Sequence, residues 1–264
     1  SVLTTYQHHF IDLPTGALAG WLCVWLWPVA HPSPLLSARL TRDSQRWRLG
    51  MRYGLGALVL TALAWVLGGG WLWLLWPAVS LGLITANYLA LGAPGFQKRD
   101  DGRLTPAARW LYAPYLAGAW INSRLWTRKH PQPDLIVDNV WLGRIPTTGE
   151  QRSFASIVDL CAELPMNPQG RAYACVSVLD LIAPTPNECL KAAHAIERLR
   201  ASGPLLVCCA LGYSRSATAV AAWLLNTGRA TTVEQALAII RTARADVVLH
   251  PAHRQALEGL PNAC

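Results

Sequence analysis

Between residues 53 and 97 the chain runs 45 positions without Asp, Glu, Lys, Arg or His. A bilayer-crossing helix takes roughly 20 apolar residues, so this stretch predicts two spans, at about 53–67 and about 71–92. Gly68-Gly69-Gly70 forms the natural hairpin between them, and Trp71, Trp73 and Trp76 follow it as an aromatic belt. A shorter apolar run at about 14–30 is a third candidate span. The rival reading, a buried core of a soluble helical protein, is disfavoured because charge is missing from every face. After residue 133 the pattern changes. Strand-like runs at 136–142, 156–160, 173–178 and 205–208 alternate with helical segments. At 188–201 the helix is amphipathic, with Leu190, Ala193, Ala195, Ile196 and Leu199 apolar and Lys191, Glu197, Arg198 and Arg200 polar; Gly203-Pro204 ends it. This alternation predicts an α/β domain with a short, mostly parallel central sheet flanked by helices, preceded by an all-α transmembrane region of about three spans. Roughly 130 residues suffice for an independent core.

Charge divides the chain in the same place. Residues 1–133 carry 12 Lys and Arg against 4 Asp and Glu, and residues 134–264 carry 11 of each, so the net +8 belongs wholly to the first part. It therefore argues for anionic lipid headgroups and against nucleic acid. The basic residues sit at Arg39, Arg42, Arg46, Arg48 and Arg52 before the uncharged stretch, and from Lys98 to Lys129 after it. The positive-inside rule then places both segments in the cytoplasm and the glycine hairpin outside. The expected organisation is a membrane region at 1–97, a basic and aromatic juxtamembrane linker at 98–133, and a catalytic domain at 134–264. Within the linker, residues 104–126 read either as an interfacial helix broken near Pro114 or as plain connecting chain. Seven cysteines, two of them adjacent, make no disulfide framework and fit a reducing compartment. The first apolar run has neither the basic flank nor the small-residue site of a cleavable leader.

Candidate chemistry concentrates in CCALGYSRSA, residues 208–217. Cys209 and Arg215 are separated by Ala210, Leu211, Gly212, Tyr213 and Ser214, a length suited to a loop curled around one phosphate. A strand-like run leads in and a helix-like run leads out. A cysteine at a helix N-terminus beside an arginine is poised to attack as thiolate. Successive backbone N–H groups and the helix N-terminus make an anion site, and the guanidinium adds bidentate recognition of phosphate oxygens. Against this stands the plain reading that such a spacing arises by chance and that buried cysteines are inert. Gly212 and Ser214, in a loop that needs unusual backbone angles, favour the phosphate loop. The chemistry calls for no metal or cofactor.

The residues around this loop extend the pattern. VWLGRIP at 140–146, IVDLCAELP at 157–165, LDLIAPTP at 179–186, VCCALGYSRSA and AIIRTARADVVLHPAHRQAL at 238–257 occur in order. Together, over about 134–260, they resemble the dual-specificity branch of the cysteine-dependent protein tyrosine phosphatases. The resemblance implies that Cys209 is the nucleophile that becomes phosphocysteine, that Arg215 binds the equatorial oxygens, and that Ser216 helps the thiolate leave. It makes Asp180 the general acid and then the base for water; its rival role is to cap a turn. One departure is Cys208, where the family usually has histidine; its thiol offers an alternative role as redox partner of Cys209. Asp159 is expected to cap a strand end, His194 and His253 to lie on helix surfaces, and Cys161, Cys175 and Cys189 to be buried small hydrophobes.

The opening SVLTTYQHHFIDLPTGALAG resembles the final motif of the type 2 phosphatidic acid phosphatases. Ser1, His8 and Asp12 match, with Val2 where arginine is common. The resemblance implies a histidine nucleophile at His8 oriented by Asp12, in a site whose other motifs would lie upstream, so that this chain is a piece of a longer fusion. An interfacial polar cluster is the rival reading of His8-His9. The functional expectation is a membrane-anchored phosphomonoesterase, multi-pass in a bacterial inner membrane. It acts from the cytoplasmic side on a phosphoprotein or a phospholipid phosphomonoester. The alternative is a weakly active phosphate-binding module attached to a lipid phosphatase whose own site carries the main activity.

Overall fold

The computed structural model describes residues 12–29 and 32–261, which cluster into two compact units. The first is built from residues up to 97 and from 104–116; the second from 98–103 and from 117 onward. The segment 98–133, expected as a linker, is thus shared between them, and both 98–103 and 117–133 pack with the α/β unit.

In the first unit, α1 (Asp12–Leu26) is followed by α2 (Ser44–Leu67), whose N-terminus is capped by Asp43 accepting from the Gln45 N–H at 2.8 Å. Gly68 and Gly69, at φ 60° and 51°, reverse the chain where a side chain would be strained. A short 3-10 turn then leads into α3 (Leu75–Ala86), which packs along α2, and a π-type turn carries the helical stretch on to Leu91. The stretches Ser44–Leu67 and Gly69–Leu91 are long and apolar enough to cross a membrane. Only 17% of the apolar window of α2 is buried within the protein, and Leu55, Leu58, Trp65 and Val66 are exposed, the opposite of a soluble core helix. The third expected span is a shorter helix, α1. Ser1 and His8 lie outside the described residues, as does the side chain of Asp12. α4 (Pro106–Leu111) follows, then α5 (Ala113–Trp126); the break falls at Tyr112, two residues before Pro114.

The second unit is a five-stranded mixed sheet, β1 (Asp134–Val137), β2 (Val140–Arg144), β3 (Ser156–Cys161), β4 (Ala172–Val178) and β5 (Leu205–Cys209), in the order β1-β2-β5-β3-β4. Only the β1–β2 pairing is antiparallel. A single strand expected at 136–142 is instead this hairpin. Asp138 and Asn139 both adopt left-handed backbone, at φ 49° and 64°, and such a two-residue turn matches the twist of paired strands. β5 lies in the middle of the sheet, so its C-terminal end opens onto the carboxyl edge, where ligands gather in open α/β sheets. Val140, Leu142, Val158, Leu160, Leu205 and Val207 form one core with α6 (Pro186–Arg200), α7 (Arg215–Asn226), α8 (Val233–Ala243) and α9 (Pro251–Glu258). α6 starts at a capping box, Thr185 with Glu188, and its apolar face follows the expected stripe.

Candidate active site

β5 delivers Cys209 at its last position and α7 begins at Arg215, so the five intervening residues form the turn between strand and helix. Strand alternation sends the neighbouring side chains to opposite faces. Cys209 lies in the core under the helices, while Cys208, paired in register with Asp159, lies on the other face. The Cys208 thiol is fully buried, and burial, with Asp159 nearby, pushes its pKa well above the usual range.

The sulfur of Cys209 accepts two hydrogen bonds, from the Gly212 N–H at 3.2 Å and the Ser216 hydroxyl at 3.2 Å. The loop's carbonyls are held from outside. Ile145 N–H donates to Cys209 O (2.7 Å), Val248 N–H to Tyr213 O (3.0 Å) and the buried Arg244 Nε to Gly212 O (3.1 Å). Gly212 has φ 77°, and a Cβ there would lie 2.4 Å from the carbonyl carbon of Gly143 and 2.7 Å from Arg144 N. Backbone cannot step aside as a flexible side chain does. Gly212→Ala is therefore expected to lower kcat/KM by about 100-fold, the scale of a roughly 1 Å misplacement at a reacting centre, and to lower the melting temperature. Steady-state kinetics and thermal unfolding check this; wild-type kcat/KM in the variant would refute it.

Arg215 is 3% exposed and grips Glu163 with both terminal nitrogens, Nη1 to Oε2 at 2.9 Å and Nη2 to Oε1 at 2.8 Å. Nη1 also donates to Val178 O, and Nη2 to Asp180 Oδ1 at 2.8 Å. Burial works against each of these charges. For Arg215 it is outweighed by Glu163 and Asp180, which raise its pKa well above the ordinary value; for Glu163 it is outweighed by Arg215, which lowers it. For Asp180 burial wins: together with Glu163 it raises the carboxyl's pKa despite Arg215. Asp180 is thus displaced toward a protonated carboxyl that can donate, and Glu163 stays a counter-ion. Leu181, next to Asp180, sits at φ 58°, a strained angle for a branched residue.

Cys209, Arg215, Ser216 and Asp180 accordingly come together at one end of the sheet. Asp159 is more than a strand cap. It is fully buried, accepts from the Cys161 N–H at 2.8 Å and the Tyr173 hydroxyl at 2.9 Å, and pairs with Lys98 Nζ at 2.6 Å. Cys161 and Cys189 are buried and Cys175 partly so, while His194 is exposed. His253 departs from expectation. It is 4% exposed on the buried face of α9, and burial and its neighbour His250 lower its pKa to about 4. The apolar stripe of α9 includes this position, and the polar residue type concealed it. Glu163, Lys98 and Arg244 were not singled out from sequence; the short distance from Glu163 to β3's end was the available signal.

Residues 141–260 match the family described as dual specificity phosphatase, catalytic domain. The protein is a cysteine-dependent phosphatase. The match covers less than half of the chain, and no curated protein sequence matches it. Among solved structures the phosphatase domain is similar to Tk-PTP in its active form, at 26% identity over 50% of this chain and 97% of that one, with a TM-score of 0.45. It is similar to human DUSP28, at 23% identity over 48% and 91%, with a TM-score of 0.43. PTPMT1 in complex with PI(5)P matches at 21% identity over 47% and 90%, with a TM-score of 0.42.

Proposed function

We propose that this phosphatase is anchored in a membrane and hydrolyses phosphomonoesters on the cytoplasmic side through a phosphocysteine intermediate. The observation that carries the reading is the convergence of Cys209 Sγ, the Ser216 hydroxyl, Arg215 and Asp180 around one strand–loop–helix turn. In the first step the Cys209 thiolate attacks phosphorus as the P–O bond to the leaving group breaks. Asp180 transfers its proton to the departing oxygen. In the second step the Asp180 carboxylate takes a proton from water, the water oxygen bonds to phosphorus, and the S–P bond breaks. Ser216 donates to the sulfur as its charge returns. Arg215 and the N–H groups of Ala210, Leu211, Tyr213 and Ser214 hold the equatorial oxygens, while the Gly212 N–H stays on the Cys209 sulfur. Arg215 Nη2, shared with Asp180 Oδ1, passes to a phosphoryl oxygen when substrate binds, which frees Asp180 to face the leaving group. The loop interior carries no Lys or His, which fits a single phosphate on a protein or lipid better than a multiply charged headgroup.

The two apolar helices and the basic residues at their ends support the anchor and the cytoplasmic orientation. The preceding region is proposed to be the end of a lipid-phosphatase-like domain with His8 and Asp12 as its remnant site, in a bacterial inner membrane.

The test is acid quench of the full chain in detergent during turnover of an alkyl phosphate labelled at phosphorus, with a pH series. Label is expected on Cys209. Because Asp180 must be protonated to act first, its raised pKa sets the basic limb of kcat. Asp180→Asn is expected to remove that limb and lower kcat by about 10²–10⁴-fold, the usual share of general acid–base catalysis. Label absent from cysteine in an active enzyme would overturn the mechanism.

A further inference from the structure

The phosphate loop is braced at one more point, by a residue outside the matched phosphatase segment. The Ser123 hydroxyl, on the last turns of α5, donates to Ala210 O at 2.6 Å and is fully buried. A trans peptide points its C=O and its N–H in opposite directions. Pinning Ala210 O outward therefore turns the Leu211 N–H inward, toward the place where an oxyanion sits. Ile145, Arg244 and Val248 do the same for the peptides after Cys209, Gly212 and Tyr213, and they belong to the phosphatase fold itself.

Ser123 is in turn held in place. Thr127 Oγ1 donates to Ser123 O at 2.7 Å and accepts from Arg144 Nη1 at 2.7 Å. Arg124 Nη2 donates to Ile145 O at 2.8 Å, and the Ile145 N–H reaches Cys209 O. The turn carrying Ser123 is thereby fastened to the strand end beside the nucleophile. We propose that Ser123 is a positioning residue for the phosphate loop. It fixes the Ala210–Leu211 peptide in the orientation that binds a phosphoryl oxygen, so the working catalytic unit begins upstream of the phosphatase fold. The inference rests on the phosphocysteine reading of the site.

The experiment uses the full chain in detergent and three readouts: the inhibition constant of tungstate, kcat on p-nitrophenyl phosphate, and the melting temperature. Ser123→Ala is compared with Ser156→Ala, which removes a similar bond, from the Ser156 hydroxyl to Leu199 O, at the opposite end of β3. Losing one buried hydrogen bond costs on the order of tenfold in an equilibrium constant. Ser123→Ala is thus expected to weaken tungstate binding and lower kcat by about tenfold each, and Ser123→Thr, which keeps the hydroxyl, to recover tungstate affinity. Ser156→Ala is expected to change the melting temperature alone. Unchanged tungstate affinity and kcat in Ser123→Ala, beside an active wild type, would overturn the proposal, as would equal losses in Ser156→Ala. A wild type that neither binds tungstate nor turns over would sink the functional reading and this inference with it.

Discussion

Cys209→Ser is expected to abolish phosphatase activity while leaving oxyanion binding intact. The serine hydroxyl would occupy the position of a sulfur that accepts from Gly212 N–H and Ser216 Oγ, so the loop keeps its shape. Arg215, fastened by Glu163, is not disturbed. What changes is the proposed nucleophile: an alkoxide is far harder to generate than a thiolate, and among the described residues the hydrogen bonds to Cys209 Sγ come from Gly212 N–H and the Ser216 hydroxyl, neither of them a general base. The loss in kcat should be roughly 10⁶-fold, the scale seen when an enzyme's nucleophile is removed. Tungstate should still protect the folded variant against heat. Full turnover in Cys209→Ser would assign the activity to another centre of the chain.

The second large effect is expected at Lys98, which is remote in sequence from the catalytic residues. Its ammonium is almost fully buried and donates to Asp159 Oδ2, Cys161 O and Leu164 O, bracketing the residue that grips Arg215, Glu163. Burial is the largest single influence and opposes the charge on Lys98, but Asp159, with Cys175 and Cys161 adding to it, holds the pKa above that of an ordinary lysine. Lys98→Ala leaves Asp159 buried without its counter-charge and removes the donor from two carbonyls. Breaking one side of a buried pair costs about 3–5 kcal/mol, enough to lower the melting temperature markedly and to loosen Glu163. Adding Asp159→Asn should recover part of the loss, because the uncompensated charge disappears. A melting temperature equal to wild type in Lys98→Ala would contradict this account.

These two residues also show what sequence reasoning reaches and where it stops. The strand–turn–helix around residues 208–217 was readable because it is local: strand, five-residue turn and helix N-terminus are consecutive, whereas the catalytic roles proposed for it rest on the family resemblance. The amphipathic helix at 188–201 and the glycine hairpin were readable for the same reason. Lys98 lies in a basic run, and nothing nearby distinguishes it from Arg99 or Arg103. Its burial is decided by Asp159, 61 residues away. Ser123, Arg244 and His253 share that limitation, since a polar side chain looks like a surface residue until its distant partner is known. The β1–β2 hairpin was missed on a finer point. Asp138 and Asn139 tolerate left-handed backbone without the glycine that usually marks such a turn.

The order in which the chain visits its two units has a consequence for modularity. Residues 98–103 belong to the α/β unit, 104–116 to the other, and the described residues from 117 on belong to the α/β unit again. A gene-level exchange that inherits this catalytic module through one junction would leave part of it behind wherever the junction falls. A crossover near 97 carries along the helical excursion at 104–116, and one near 117 strands Lys98. The phosphatase of this chain is therefore not a cassette that recombination can lift out whole, and its partnership with the helical region is expected to be inherited as a single block.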